Sequence, residues 1–124
     1  MWSDEKLFVV DHVPNLQNRR VLVPKADVNV QAVMRSKHPA SVMVFGLLAS
    51  DGKAMPPLFI PKGVKMTGSW YRDNVLTAIE DWCLATYGPR WRAKVTLMQD
   101  GAPCHTAQVV QRYLATNWGE ESFW

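Results

Sequence analysis

The run Ser41-Val42-Met43-Val44-Phe45-Gly46-Leu47-Leu48-Ala49 limits what this chain can become more than any other feature. It carries no charge and is rich in β-branched and aromatic residues. At this length, such a run reads as a strand buried on both faces rather than as an amphipathic helix. Ser50-Asp51-Gly52-Lys53 follows at once, and Asp-Gly at the centre of a short polar segment is a strong hairpin signal. Leu58 to Ile60 then returns antiparallel, with Pro56-Pro57 suited to a strand start at a sheet edge. The chain is therefore organised around a β-sheet.

The other elements arrange themselves about that hairpin. Leu7 to Asp11 reads as a short strand, Pro14 to Asn18 as a turn, and Val21 to Val23 as a second strand. Thr67 or Ser69 can cap a helix from about Trp70 to Tyr87. Its apolar positions Tyr71, Val75, Ile79, Trp82 and Leu84 recur near helical spacing, and Gly88-Pro89 stops it. Lys94 to Met98 is a further strand. Pro103 opens a last helix carrying Val109, Val110, Tyr113 and Leu114, which Trp118-Gly119 closes. The order predicts an α/β fold, with an antiparallel meander, then a parallel strand reached by a helical crossover, and helices flanking the mixed sheet. There, the first and the parallel strand lie side by side.

A length of 124 residues and a hydrophobic content of 48% suit one domain with one core. No apolar stretch approaches a membrane span, and Asp4 and Glu5 stand where a signal peptide would be basic. The chain reads as soluble and intracellular. Cys83 and Cys104 form no paired motif and are expected as reduced, mostly buried thiols. The six Trp are expected mainly as core or packing residues rather than base-stacking platforms, with Trp70 and Trp91, beside polar or basic residues, the exceptions. A net charge of +3 is only mildly basic, but Arg19-Arg20, Lys25, Arg35, Lys37, His38, Lys62, Lys65 and Arg90-Arg92-Lys94 fall mostly in predicted turns. Basic loops around an acidic site suit a phosphate backbone.

Asp4 and Asp100 are the acids that matter. Each lies beside a predicted strand, and the topology brings those strands together. A pair of carboxylates is what Mg²⁺ needs, because this ion prefers hard oxygen ligands and keeps several waters. Two such ions about 3.5–4 Å apart stabilise both the attacking and leaving oxygens of a phosphodiester. Glu5 adjoins Asp4. Gly101 leaves room beside Asp100, and His105, one turn into the next helix, can contact phosphate or carry a proton. Taken singly, Asp100-Gly101 is a turn, Asp4-Glu5-Lys6 a charged terminus, His105 a polar residue at a helix start and Glu80 part of a solvated helix face.

Five segments taken in order say more than any one of them. Ser3-Asp4-Glu5-Lys6, Arg35-Ser36-Lys37-His38-Pro39-Ala40-Ser41-Val42-Met43-Val44, Ser50-Asp51-Gly52-Lys53, Met55-Pro56-Pro57-Leu58-Phe59-Ile60-Pro61-Lys62-Gly63 and Gln99-Asp100-Gly101-Ala102-Pro103-Cys104-His105-Thr106 together resemble the catalytic core of a mariner-type transposase. The resemblance implies a ribonuclease-H-like fold over residues 1–124 as part of that core. It implies cut-and-paste DNA transposition with Mg²⁺ or Mn²⁺ held by three acids, hence a nuclear protein whose partner is DNA. Asp4 matches the first acid and Asp100 the second.

The third acid of that family falls beyond Trp124, since Glu120 and Glu121 come too early, and the end-reading helix-turn-helix region would precede Met1. The chain is thus expected to be a truncated core, binding metal weakly and prone to form homo-oligomers. Arg35, Lys37, Lys62 and Lys65 are the expected DNA contacts. The competing expectation is an inactive transposase-derived remnant with weak non-specific DNA binding or a protein-interaction role.

Overall fold

The computed structural model describes residues 1–10 and 39–123. Three strands, β1 (Trp2–Val9), β2 (Ser41–Leu48) and β3 (Leu58–Ile60), form an antiparallel sheet in the order β1-β2-β3. Trp2 pairs with Leu48 and Val9 with Ser41, while Met43 pairs with Ile60. The turn after β2 closes as its sequence requires. Ala49 N–H donates to the Lys53 carbonyl at 2.8 Å, and Gly52 adopts a φ of 84°, which favours glycine.

A long helical segment crosses one face of the sheet. It comprises α1 (Gly68–Trp70), a π-helical turn (Tyr71–Leu76) and α2 (Thr77–Tyr87). Thr67 caps its start, Oγ1 accepting from Trp70 N–H at 3.3 Å, and Gly88, at φ 78°, ends it. Tyr71, Val75, Ile79 and Cys83 recur at intervals of four and are all buried, the stripe that a sheet-packed helix needs. Leu84, expected on that stripe, is exposed, and Trp82 is only partly covered. A 3₁₀ turn (Trp91–Ala93), α3 (Pro103–Thr106) and α4 (Gln108–Asn117) complete the described elements.

The core lies between sheet and helices. Phe45, Leu47 and Ile60 meet Tyr71, Val75, Leu76 and Ile79, with Leu97, Val110, Leu114 and Trp118 closing it. Only one face of β2 is buried: Val42 and Leu48 are exposed, and Gly46 lies on the same open side. That differs from the sequence expectation, because side chains alternate along a strand and the described helices cover one side of this sheet.

There are four further differences. β1 begins at Trp2 rather than Leu7, so Asp4 lies within the strand. The segment 94–98 is not a full strand among the described residues; it makes one parallel bridge from Met98 to Trp2 and another from Leu97 to Phe123. The helix expected from Pro103 is divided at Ala107, whose ψ of 134° is extended. Trp91 is buried edge-on against Trp118, with ring centroids 4.7 Å apart, rather than exposed. The turn at Pro14 to Asn18, the strand at Val21 to Val23, and Arg19, Arg20, Lys25, Arg35, Lys37 and His38 lie outside the described residues.

Candidate carboxylate–histidine site

β1 delivers two acids in opposite directions. Neighbouring side chains leave a strand on opposite faces. Glu5 points to the helix-covered side, where it is largely buried. Asp4 is exposed, with Oδ1 accepting from Glu5 N–H at 2.9 Å.

α3 supplies the histidine. Pro103 occupies its first turn, where a missing N–H leaves no hydrogen bond unmade. One turn brings His105 inward to 1% exposure, and its ring lies against Tyr71 with centroids 4.5 Å apart. The π-helical turn begins at Tyr71. Single π turns inside α-helices recur at functional sites. The buried Tyr71 hydroxyl donates to Gln99 Oε1 at 3.0 Å. Gln111 Nε2 donates to the His105 carbonyl at 2.8 Å, tying α4 to α3 despite the break at Ala107.

His105 joins two acids 100 and five residues away in sequence. Its Nε2 is 3.2 Å from Glu5 Oε1, and its Nδ1 is 2.8 Å from Asp100 Oδ1. A carboxylate only accepts, so a hydrogen bond at both nitrogens makes each a donor, the state of an imidazolium. Burial alone would lower the imidazole's pKa, but hydrogen bonds and charge from Glu5, then the bonds to Asp100, outweigh it and raise the value. Asp100 Oδ1 also accepts from Ala102 N–H at 3.0 Å. That backbone bond, with the His105 contact, holds the Asp100 carboxyl below its ordinary range. Burial first, and the Glu5 charge second, push the Tyr71 phenol up, so it remains a neutral donor.

Glu5, Asp100 and His105 are gathered so that one ligand atom from each lies within 4.8 Å of the others. Asp4 is not in that group. A backbone bridge nevertheless joins the start of its strand to the segment leading to Asp100. Met98 N–H donates to Met1 C=O at 2.8 Å and Ser3 N–H to Met98 C=O at 3.0 Å, the parallel bridge that pairs Trp2 with Met98. Asp4 and Asp100, both exposed, each lie two residues beyond this bridge. Gly101 is open, and a Cβ there would meet nothing within 4 Å, so its place beside Asp100 leaves space rather than serving a close approach within the chain. Lys62 and Lys65 are exposed on the segment between β3 and α1.

Glu80, expected on a solvated face, instead accepts from Trp118 and Tyr113 within the helical layer. Sequence reasoning did not find Tyr71, Gln99 or Gln111. Tyr71 was legible only as a core position, although a buried phenol needs a hydrogen-bond partner, and Gln99 stood next to the recognised acid. Gln111 carried no signal.

No protein-family model and no curated protein sequence matches the chain. Solved structures do. The chain aligns over 98% of its length with "Mos1 transposase paired-end complex with left transposon end", at a TM-score of 0.67 and 18% identity. Over the same share it aligns with "Crystal structure of a pre-cleavage Mos1 transpososome", at 0.69 and 14%. Over 94% it aligns with "Crystal structure of the Mos1 mariner paired end complex with Mn", at 0.66 and 20%. The chain spans about a third of each of those chains, 33–34%. At these identities the likeness is one of fold: the chain has the fold of part of the Mos1 mariner transposase.

Proposed function

We propose that residues 1–124 are part of the ribonuclease-H-like catalytic core of a cut-and-paste DNA transposase, nuclear in location. Its reaction is metal-dependent hydrolysis of a DNA phosphodiester followed by strand transfer. The observation that supports this reading is the parallel bridge between Trp2 and Met98, with Asp4 and Asp100 each two residues beyond it. The mariner-like order of motifs and the shared fold with the Mos1 structures agree with it.

The donor set suits Mg²⁺ or Mn²⁺. Both acids present hard oxygens, the Asp100 side chain is 64% exposed, and its Oδ2 makes no hydrogen bond among the described residues. Asp4 and Asp100 would hold the ion. A divalent cation held there would supply positive charge to polarise a phosphodiester and to make water more acidic. The chain's own contribution is placement. His105 and the Ala102 amide fix Asp100 Oδ1, leaving Oδ2 without a hydrogen bond among the described residues, and Gly101 leaves the approach open. Lys62 and Lys65 are the described cations proposed to meet the DNA backbone.

Calorimetric titration with Mn²⁺ tests the site. Binding by the wild-type chain that is lost in both Asp4→Ala and Asp100→Ala supports it, and heats unchanged in both variants sink it. Nicking of supercoiled plasmid in Mn²⁺, abolished by Asp4→Ala, would assign activity to the chain. Metal binding without nicking would instead assign it to the inactive, DNA-binding reading.

A further inference from the structure

The gathered group of Glu5, Asp100 and His105 has the composition of a metal site, but its geometry argues for a different role. The two acids meet opposite nitrogens of one ring, Glu5 at Nε2 and Asp100 at Nδ1. A cation bound by either nitrogen would replace the hydrogen bond that nitrogen makes to its carboxylate. As it stands, the ring is a strut that bridges the two carboxylates, one at each nitrogen.

The strut is held along its length. Tyr71 packs against the ring, the ring is buried, and Gln111 holds the backbone carbonyl of the same residue. At one end, Glu5 is anchored in the middle of a paired strand, opposite Phe45, with its side chain 13% exposed. At the other end, Asp100 is largely solvent-facing, and two bonds, from Ala102 N–H and His105 Nδ1, fix its Oδ1. An exposed carboxylate without them would sample several rotamers. Partners behind a metal ligand orient it and are worth about 10–100-fold in metal affinity.

We propose that Glu5 is a positioning residue for Asp100, acting through His105. The inference rests on the reading of Asp100 as a metal ligand, and assigns to the acid beside Asp4 a task on the opposite face of the same strand. Asp4 offers its carboxylate from the open face. Glu5 reaches through the covered side to hold its partner acid still.

The test is Mn²⁺ affinity of the 124-residue chain, followed by the paramagnetic signal of free Mn²⁺, with thermal unfolding recorded on every variant. Glu5→Ala is expected to weaken Mn²⁺ binding by about 10-fold or more. Glu5→Gln, which keeps an oxygen acceptor for Nε2, should stay within about 3-fold of wild type, since only long-range charge is lost. His105→Ala should weaken binding as Glu5→Ala does, and the double variant no further, because two members of a series cannot each be lost twice. A role in stability alone would lower the melting temperature and leave affinity untouched in the folded protein.

Wild-type affinity in Glu5→Ala overturns the proposal, as does equal loss in Glu5→Gln and Glu5→Ala, which would make Glu5 a direct ligand. If Glu5→Ala does not fold, Glu5→Asp replaces it: weaker binding with a normal melting temperature supports the strut, and wild-type affinity overturns it. Asp100→Ala separates the two levels. Wild-type Mn²⁺ binding in that variant ends the metal reading itself. Loss there with normal binding in Glu5→Ala ends only the present inference.

Discussion

Trp118 Nε1 donates to Glu80 Oε1 at 2.6 Å, joining the end of α4 to the first turn of α2. The same oxygen accepts from the Tyr113 hydroxyl at 3.1 Å, and Oε2 lies 3.4 Å from an Arg92 guanidinium nitrogen. Glu80 is only 18% exposed and Trp118 is buried, so the indole N–H has little water to turn to. Glu80→Ala is expected to destabilise the fold by about 2–3 kcal/mol, because a donor left unsatisfied costs about 1–3 kcal/mol. Glu80→Gln, which retains an acceptor, should lose less than half of that. Urea unfolding measures both, and equal stability in Glu80→Ala and wild type would refute the tie.

Gly68 marks where α1 meets the break between α3 and α4. A Cβ there would come within 2.5 Å of the Ala107 Cβ and 3.1 Å of Val109 Cγ1. Neither neighbour is a flexible chain end, so Gly68→Ala must displace backbone. Overpacking of this kind costs about 1–3 kcal/mol. The displaced segment carries His105, so metal affinity should fall together with stability. Chemical denaturation beside a Mn²⁺ titration checks this, and a neutral Gly68→Ala would show that the helices separate freely.

The two thiols should differ in reactivity. Cys83 is fully buried on the inner side of α2, and burial pushes its thiol up to about 11 from an ordinary 9.0. A raised value means less thiolate at any given pH, here about a hundredfold less near pH 8, and the thiolate is the reactive form. Cys104 is half-buried and is also raised, by burial first and the Glu5 charge second. Iodoacetamide at pH 8 is expected to modify Cys104 first and Cys83 only after unfolding in urea. Mass spectrometry of labelled peptides reads the order, and labelling of Cys83 at its unfolded rate would contradict its burial.

The punctuation of this fold was legible because it is local. Asp51-Gly52, the Thr67 cap, Gly88 and Pro103 each act through their own backbone, and each lies where the sequence put it. What depends on distant partners was not legible. The charged start of β1 does not look like a strand until Glu5 is seen to have His105 as its partner across the chain. Trp91 looked exposed beside Arg90 and Arg92, yet Trp118 buries it while Arg92 lies over its ring. Of the site, Asp100 and His105 were readable as neighbours in one motif. The face that each acid of Asp4-Glu5 presents was not, since it follows from a strand register that only the fold defines.

Lys62 and Lys65 stand exposed on the segment leading from β3 into α1. If they meet DNA phosphates, the contact is electrostatic and must respond to salt, with log K falling by about 0.9 per log unit of salt for each phosphate neutralised. Fluorescence anisotropy with a labelled duplex should show binding by the wild-type chain that weakens steeply between low and high salt and depends little on sequence. Lys62→Ala with Lys65→Ala should flatten that slope by about two contacts' worth, roughly 1.8, while leaving the melting temperature unchanged. The same pair should leave Mn²⁺ affinity near wild type, because neither lysine bonds to Asp100 or Glu5. A salt slope unchanged in the double variant would remove these lysines from the interface, and binding indifferent to salt would remove the phosphate contact altogether.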